Sequence, residues 1–306
     1  MKHDTKIKGP ASLQIQSVLF NNTQAHVDQA LQSLARAVDL GIGGGVLSEV
    51  NLIFGDCSPE PVFTGAQITE RIQQISSQGI CRIDYEFFDK NLGSAAAHNQ
   101  LLQKLDTDLV LILNPDTIVA PNLFLELLKP MQKTGIGVVE ARQVPIEHPK
   151  DYDPITGESG WAATACALVS SAVAREVGGF DAESFFLYCD DVDFSWRVRL
   201  AGYKVIFQPS AVVFHDKRLS TAGKLQASKA EEYYSAEAAL FLAHKYSRNR
   251  LVKRIESQLL AQGSELEKKA VRAFQKRRLE KKLPPQIDPT HQVSQFIKGV
   301  YATHRF

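Results

Sequence analysis

The chain has 306 residues, 44% of them hydrophobic and 23% charged, with a formal net charge of +1. This composition excludes an intrinsically disordered chain, and the near-neutral charge excludes nucleic-acid binding through a global electrostatic field. The four cysteines, Cys57, Cys81, Cys166 and Cys189, form no C-x-x-C pair, which excludes a zinc knuckle or a dithiol motif and leaves free thiols in a reducing compartment. Met1 to Pro10 is polar and reads as no secretory signal, and no run approaches the roughly 18 apolar residues of a membrane span, so a cytoplasmic chain is expected.

Leu13–Phe20 alternates and then turns apolar, which predicts a strand. Asn21, Asn22 or Thr23 can cap the helix that follows, His26–Leu40, with Val27, Leu31, Leu34 and Val38 at helical spacing. Gly41–Gly45 ends that helix. The G-rich run follows a helix and precedes a strand, the reverse of a dinucleotide loop. A strand over about Glu49–Gly55 leads into Asp56. A helix carrying Ile68, Ile72 and Ile75 is followed by a strand, Arg82–Phe88, a turn at Asn91-Leu92-Gly93, and a helix, Ser94–Leu105. Asp108–Leu113 is a short apolar run suited to burial on both faces of a sheet, and Asn114-Pro115-Asp116 follows it directly.

The second half is less regular. Ile136–Arg142 reads as a strand, Glu147–Trp161 as a loop, Thr164–Ser170 as an apolar run and Ser171–Val177 as a short helix. A turn at Gly178–Asp181 precedes a helix over Asp190–Ala201 and two short strands, Val205–Phe207 and Val212–His215. Two helices, Glu231–Tyr246 and Leu251–Arg278, then close the pattern. Lys268–Lys282 is strongly basic, Pro284-Pro285 interrupts it, and the tail to Phe306 carries no clear signal. Strands alternating with helices predict a mostly parallel α/β sheet, whose ligands lie beyond the carboxyl ends of the strands. Asn21-Asn22, Asp56, Asp89–Asn91 and Asn114–Asp116 fall at those ends.

Two segments carry the chemistry. Asp116, held by Pro115 just past a buried strand, can present Mg2+ or Mn2+ to a diphosphate, or can simply be turn chemistry. Asp190, Asp191 and Asp193 open a helix, where its dipole favours them, and Asp193 can pair with Arg197 four residues on. One carboxylate of the three suffices to accept a proton from an attacking hydroxyl. Trp161 can stack on a sugar or pack in the core.

In order along the chain stand Asp56; Asn91-Leu92-Gly93 with Asn99; Asn114-Pro115-Asp116; Gly178-Gly179-Phe180-Asp181; Phe185-Phe186-Leu187-Tyr188; Asp190-Asp191-Val192-Asp193 with Arg197; Ala201-Gly202-Tyr203; and Pro209 through His215. This series resembles glycosyltransferase family 2, in its rhamnosyltransferase-like branch, over about Leu13–His215. The resemblance implies a GT-A fold, placed over residues 10–228 as a Rossmann-like, mostly parallel sheet flanked by helices; the residues beyond it, 229–306, read as a helical, basic extension. It implies an inverting, metal-dependent glycosyltransferase using dTDP-rhamnose or a UDP-sugar, acting on a glycan or lipid-linked glycan in surface polysaccharide synthesis.

Residue by residue, it implies Asp191 as the general base and Asp116 with His215 as metal ligands. Asn22, Asp56, Asn91, Gly93, Asn99 and Asn114 would bind the donor nucleotide, and Trp161, Asp190, Asp193 and Arg197 the sugar or acceptor. Asn114 replaces the first Asp of the family's D-x-D, so a metal gains one carboxylate rather than two. Asp190 stands where Glu is usual. The basic helix can contact anionic lipid at the inner face of the membrane or be a solvated face. An alternative is a catalytically inactive carbohydrate- or partner-binding module on the same fold. A sugar-nucleotide nucleotidyltransferase would want a Gly-rich basic loop where Asn21-Asn22-Thr23-Gln24 stands.

Overall fold

A computed structural model describes residues 4–75, 79–148, 150–215, 228–297 and 299. The tail expected to lack a clear signal reaches beyond them at 300–306, as does the start of the Met1–Pro10 segment.

The first half alternates as expected: β1 (Ala11–Leu19), α1 (Gln24–Gly43), β2 (Leu47–Asp56), α2 (Gly65–Ile75), β3 (Ile80–Phe87), α3 (Gly93–Leu102) and β4 (Leu109–Leu113). Of the three possible caps for α1, Thr23 is used, its side chain accepting from the His26 N–H at 3.3 Å. All five residues of β4 are buried. Two elements were not expected: β5 (Thr117–Val119) and α4 (Leu123–Met131). In α4, Leu123, Phe124, Leu127, Leu128 and Met131 are buried at helical spacing, and Pro130, which has no N–H to give the helix, is the last residue but one.

The remaining elements are β6 (Ile136–Val144), β7 (Cys166–Ser170), α5 (Ser171–Glu176), α6 (Asp190–Leu200), β8 (Lys204–His215), α7 (Lys229–Lys245), α8 (Asn249–Gln262) and α9 (Glu265–Leu279). The two short strands expected near 205 and 212 are one strand, β8. Its register against β6 slips between the pairs Ala141–Gln208 and Arg142–Val212, so three residues bulge out. Pro209 lies in the bulge, having no N–H to give the ladder. The single helix expected over Leu251–Arg278 is two, because Gly263-Ser264 breaks it. Ser264 and Glu267 then form a capping box that starts α9.

The sheet has eight strands in the order β3-β2-β1-β4-β7-β6-β8-β5. The run β3-β2-β1-β4 is parallel throughout, as the alternation requires. Beyond it the sheet is mixed: β7 runs antiparallel to both β4 and β6, and β5 antiparallel to β8. The main core lies between α1, α4 and the sheet. A second core joins Trp161, Phe185, Val192 and Trp196 to Phe241, Tyr246, Val271 and Phe274. The C-terminal helices therefore share a core with α6.

Candidate active site

A cleft of about 540 Å³ opens beyond the carboxyl ends of β1 and β4. Phe20 and Asn22 follow β1, Asn91 and Gly93 follow β3, and Asn114 to Asp116 follow β4, as the sheet topology dictates. Phe186 and Leu187 from the loop before α6 wall it, with Ala230 and Tyr234 from α7. The Phe186 and Tyr234 rings stack with centroids 4.7 Å apart. Gly93 is required here: its φ is +72°, and a Cβ would lie 2.4 Å from the Phe186 carbonyl oxygen. The Asn91 Oδ1 accepts from the Gly93 N–H at 3.1 Å, and the Asn22 Oδ1 accepts from the Phe20 N–H at 2.8 Å.

One corner of the cleft gathers Asn114, Asp116 and His215. The His215 Nε2 lies 3.4 Å from the Asp116 Oδ1 and 3.4 Å from the Asn114 Nδ2. The residues come together because Thr117, directly after Asp116, pairs with His215 in the β5–β8 ladder. The Asp116 side chain is 39% exposed and so open to a ligand. Among the described residues no group of three or more His, Cys, Asp or Glu could hold a metal. A carboxylate, an imidazole and an amide are nonetheless a donor set that suits Mg2+ or Mn2+, with phosphate oxygens filling the rest of the shell.

Other candidates lie elsewhere. Asp56 is fully buried and lies beneath the cleft rather than on its wall. Its carboxylate accepts from the N–H groups of Ser58 and Val62, both at 2.8 Å, and from the Tyr85 hydroxyl. Burial, then the bond to Asp56, pushes the Tyr85 phenol well above its usual range, so it stays a donor. Asp56 thus shapes the loop after β2. Asn99 is also off the cleft. It clasps the Phe180 backbone, donating to the carbonyl at 2.7 Å and accepting from the N–H at 2.8 Å. Gly179, with φ +69°, is what lets it approach: a Cβ there would lie 2.4 Å from the Asn99 Oδ1.

Asp193 is wholly buried. It accepts from Arg197 Nε at 2.8 Å, Lys245 Nζ at 2.6 Å and the Tyr246 hydroxyl at 3.1 Å. Arg197 also donates to the carbonyls of Val177 and Gly179. Lys245 reaches Asp181 as well, at 2.7 Å. Burial alone would raise the Asp181 carboxyl, yet Lys245 holds it below its usual value. Asp193 and Arg197 therefore tie α6 to the glycine turn and to α7. Trp161 is 4% exposed and packs in the second core, with Lys150 Nζ 4.1 Å from its ring centre. Asp190 and Asp191 are the first two residues of α6, 5% and 7% exposed, and neither lines the cleft. Tyr188 and Cys189, both left-handed, turn the chain into that helix.

Sequence reasoning missed His98, Gln143 and Tyr234. His98 lines the cleft floor, its Nδ1 accepts from the Gln16 Nε2 at 2.9 Å, and burial lowers its pKa to about 4. Gln143 contacts His215. Tyr234 belongs to a stretch read as helical, Glu231–Tyr246, in which no motif pointed to a site.

Residues 62–177 match the family model of glycosyl transferase family 2. Over 95 residues the chain is 37% identical to the N-acetylglucosaminyl-diphospho-decaprenol L-rhamnosyltransferase of two Mycobacterium tuberculosis strains. That match covers 31% of this chain and 30% of the relative, so the chain spans less than a third of the curated relatives it matches. A mannosyltransferase from Pyrobaculum calidifontis, solved in complex with GDP-Man and Mn2+, superposes with a TM-score of 0.54 at 12% identity, over 90% of this chain and 77% of that one. GalNAc-T7, solved with UDP, GalNAc and Mn2+, gives 0.61 at 16% identity, over 90% and 60%. TarS of S. aureus gives 0.51 at 11% identity, over 81% and 43%. At such identities the likeness is one of fold. Together with the sheet order and the cleft at the strand ends, these matches show a GT-A fold in which residues 62–177 are similar to glycosyl transferase family 2.

Proposed function

We propose that this protein is an inverting glycosyltransferase that takes a sugar from a nucleotide-diphosphate donor, dTDP-rhamnose or a UDP-sugar, in the cleft beyond β1 and β4. The observation that carries the reading is the convergence of Asn114, Asp116 and His215 on one corner of that cleft. Asp116 and His215, with the Asn114 amide, would hold Mg2+ or Mn2+, which when bound neutralises charge on the leaving diphosphate. Asn22, Asn91 and the Gly93 backbone would line the nucleotide, and the Phe186–Tyr234 stack would exclude water beside the sugar.

In the reaction Asp191 would take the proton of the acceptor hydroxyl as its oxygen bonds to the anomeric carbon. The bond from that carbon to the diphosphate oxygen breaks on the opposite side, which inverts the centre. Asp191 does not line the cleft, so the acceptor is proposed to enter past the Phe186–Leu187 wall. The acceptor class is a glycan or a lipid-linked glycan, by analogy with the curated relative's name, and surface polysaccharide is the proposed product. Residues 229–306 hold 16 Lys and Arg against 8 Asp and Glu. Leu279 is 84% exposed beside Lys281 and Lys282. This composition supports peripheral contact with an anionic lipid surface. No helix of the described residues is long and apolar enough to cross a membrane. Four free thiols, one of them exposed at Cys81, suit a reducing compartment, and the cytoplasm is proposed.

The test is a thermal-shift panel of UDP, dTDP and GDP, each with and without Mn2+ or Mg2+. Metal-dependent stabilisation by one pyrimidine diphosphate, lost in Asp116→Ala, is the expected result. No shift with any of them would sink donor binding. The low exposure of Asp191 favours one second reading, an inactive carbohydrate-binding module. It would win if the wild type bound glycan but neither transferred nor hydrolysed any donor; donor turnover that Asp191→Asn abolishes would exclude it.

A further inference from the structure

Gln143 is in the last turn of pleat of β6, paired with Val213 of β8 two residues before His215. It is 1% exposed. Its backbone N–H donates to the Glu147 Oε2 at 2.7 Å, which fixes the chain on which the side chain stands. Its Oε1 lies 2.8 Å from the His215 Nδ1. Its Nε2 is buried and has no hydrogen-bond partner among the described residues. An apolar side chain of the same length would fill this position without burying an unpaired amide N–H, which is unfavourable. The contact with His215 is thus the one polar contact of this side chain among the described residues.

A glutamine carbonyl facing Nδ1 has a definite consequence. It can only accept, so Nδ1 must carry the ring proton, and Nε2 is left with its lone pair. That lone pair points toward the Asp116 Oδ1 and the Asn114 amide, each 3.4 Å away. In the neutral ring, a nitrogen lone pair and a carboxylate oxygen then face each other with no proton between them. A divalent cation relieves that opposition.

We propose that Gln143 is a positioning residue: it locks His215 in the Nδ1–H tautomer and so presents Nε2 to a divalent metal beside Asp116. The ligand half of this inference rests on the metal reading above; the tautomer half does not.

Nitrogen-15 NMR of the histidine rings, on metal-free full-length protein at mildly alkaline pH, reads which nitrogen is protonated, with His215→Gln assigning the signal. Nδ1–H is expected in the wild type. Gln143→Met should move the ring toward Nε2–H and weaken Mn2+ binding, measured calorimetrically, by about 10- to 100-fold. Gln143→Glu, which keeps an acceptor, should restore both. An Nε2–H ring in the wild type overturns the proposal. So does unchanged Mn2+ affinity in a Gln143→Met protein with native circular dichroism. If that variant does not fold, the wild-type spectrum and Gln143→Glu still decide the tautomer. A wild type that shows Nδ1–H yet binds no Mn2+ removes the metal reading and this proposal with it. Mn2+ bound equally by wild type and Gln143→Met removes this proposal alone.

Discussion

His98 sits on the cleft floor as a neutral ring, because burial depresses its pKa from 6.5 to about 4. In the unfolded chain the same ring takes up a proton near its ordinary value. The folded pKa is the lower of the two, so the stabilising contribution is complete above about pH 6.5 and is lost as pH falls toward about 4. The expected loss across that window is up to ~3 kcal/mol. Urea unfolding at several pH values should show the decline, and His98→Asn should flatten it. A wild-type slope unchanged by the substitution would assign the acid sensitivity to other groups.

Asp193 is the second informative residue. It sits in the acidic run Asp190–Asp193, yet its carboxylate is taken up by Arg197, Lys245 and Tyr246. Removing one partner of a buried ion pair leaves the other charge uncompensated. Asp193→Ala should therefore cost about 3 kcal/mol, the low end for such a deletion because Asp181 still faces Lys245. The urea midpoint should fall, while metal-dependent nucleotide binding by the folded protein should persist. Lost binding with unchanged stability would return Asp193 to the ligand-contacting residues.

At the scale of elements, two expectations failed for readable reasons. The long C-terminal helix was expected to run unbroken through Gly263, yet Gly-Ser-x-x-Glu is itself a helix-start signature. Ser264 and Glu267 satisfy each other's backbone donors. Ser264→Ala should cost ~1 kcal/mol, seen as a lower melting temperature with helix content nearly unchanged. No measurable change would mean that α9 is held by its packing on α7 alone. The second failure, β8 read as two strands, has a different cause. Pro209 interrupts the ladder, but β6 continues past it and re-forms the pairing after a bulge. A partner strand decides that, and a single sequence segment does not display its partner.

For the whole molecule, the C-terminal helices are not a separate appendage in their packing. Phe241, Tyr246, Val271 and Phe274 share a core with Trp161, Phe185, Val192 and Trp196, and α7 brings Tyr234 to the cleft. The Lys245 ion pairs reach Asp181 and Asp193 across the same boundary. A truncated chain ending at residue 228 should therefore expose a large apolar face. It should bind a hydrophobic dye and elute as aggregate on size exclusion, with no nucleotide-induced thermal shift. A compact, nucleotide-binding product would show that residues 10–228 fold alone.

The sequence by itself determined the alternation of β1 to β4, the polar residues at their carboxyl ends and the family that the motif series resembles. Those features are local or ordered along the chain: hydrophobic period, caps, and short motifs next to buried strands. It also marked Asp116 and His215, although they are far apart in sequence, because each stands at a strand end. Only the tertiary structure decided how residues of the same motifs divide between cleft and scaffold. Asn114, Asp116 and His215 meet through the β5–β8 ladder, whereas Asp56, Asn99, Asp193 and Arg197 turn inward to hold loops and helices. A carboxylate or amide at a given spacing can face either way. Which way it faces depends on the donors that distant segments bring to it, and those donors exist only once the chain has folded.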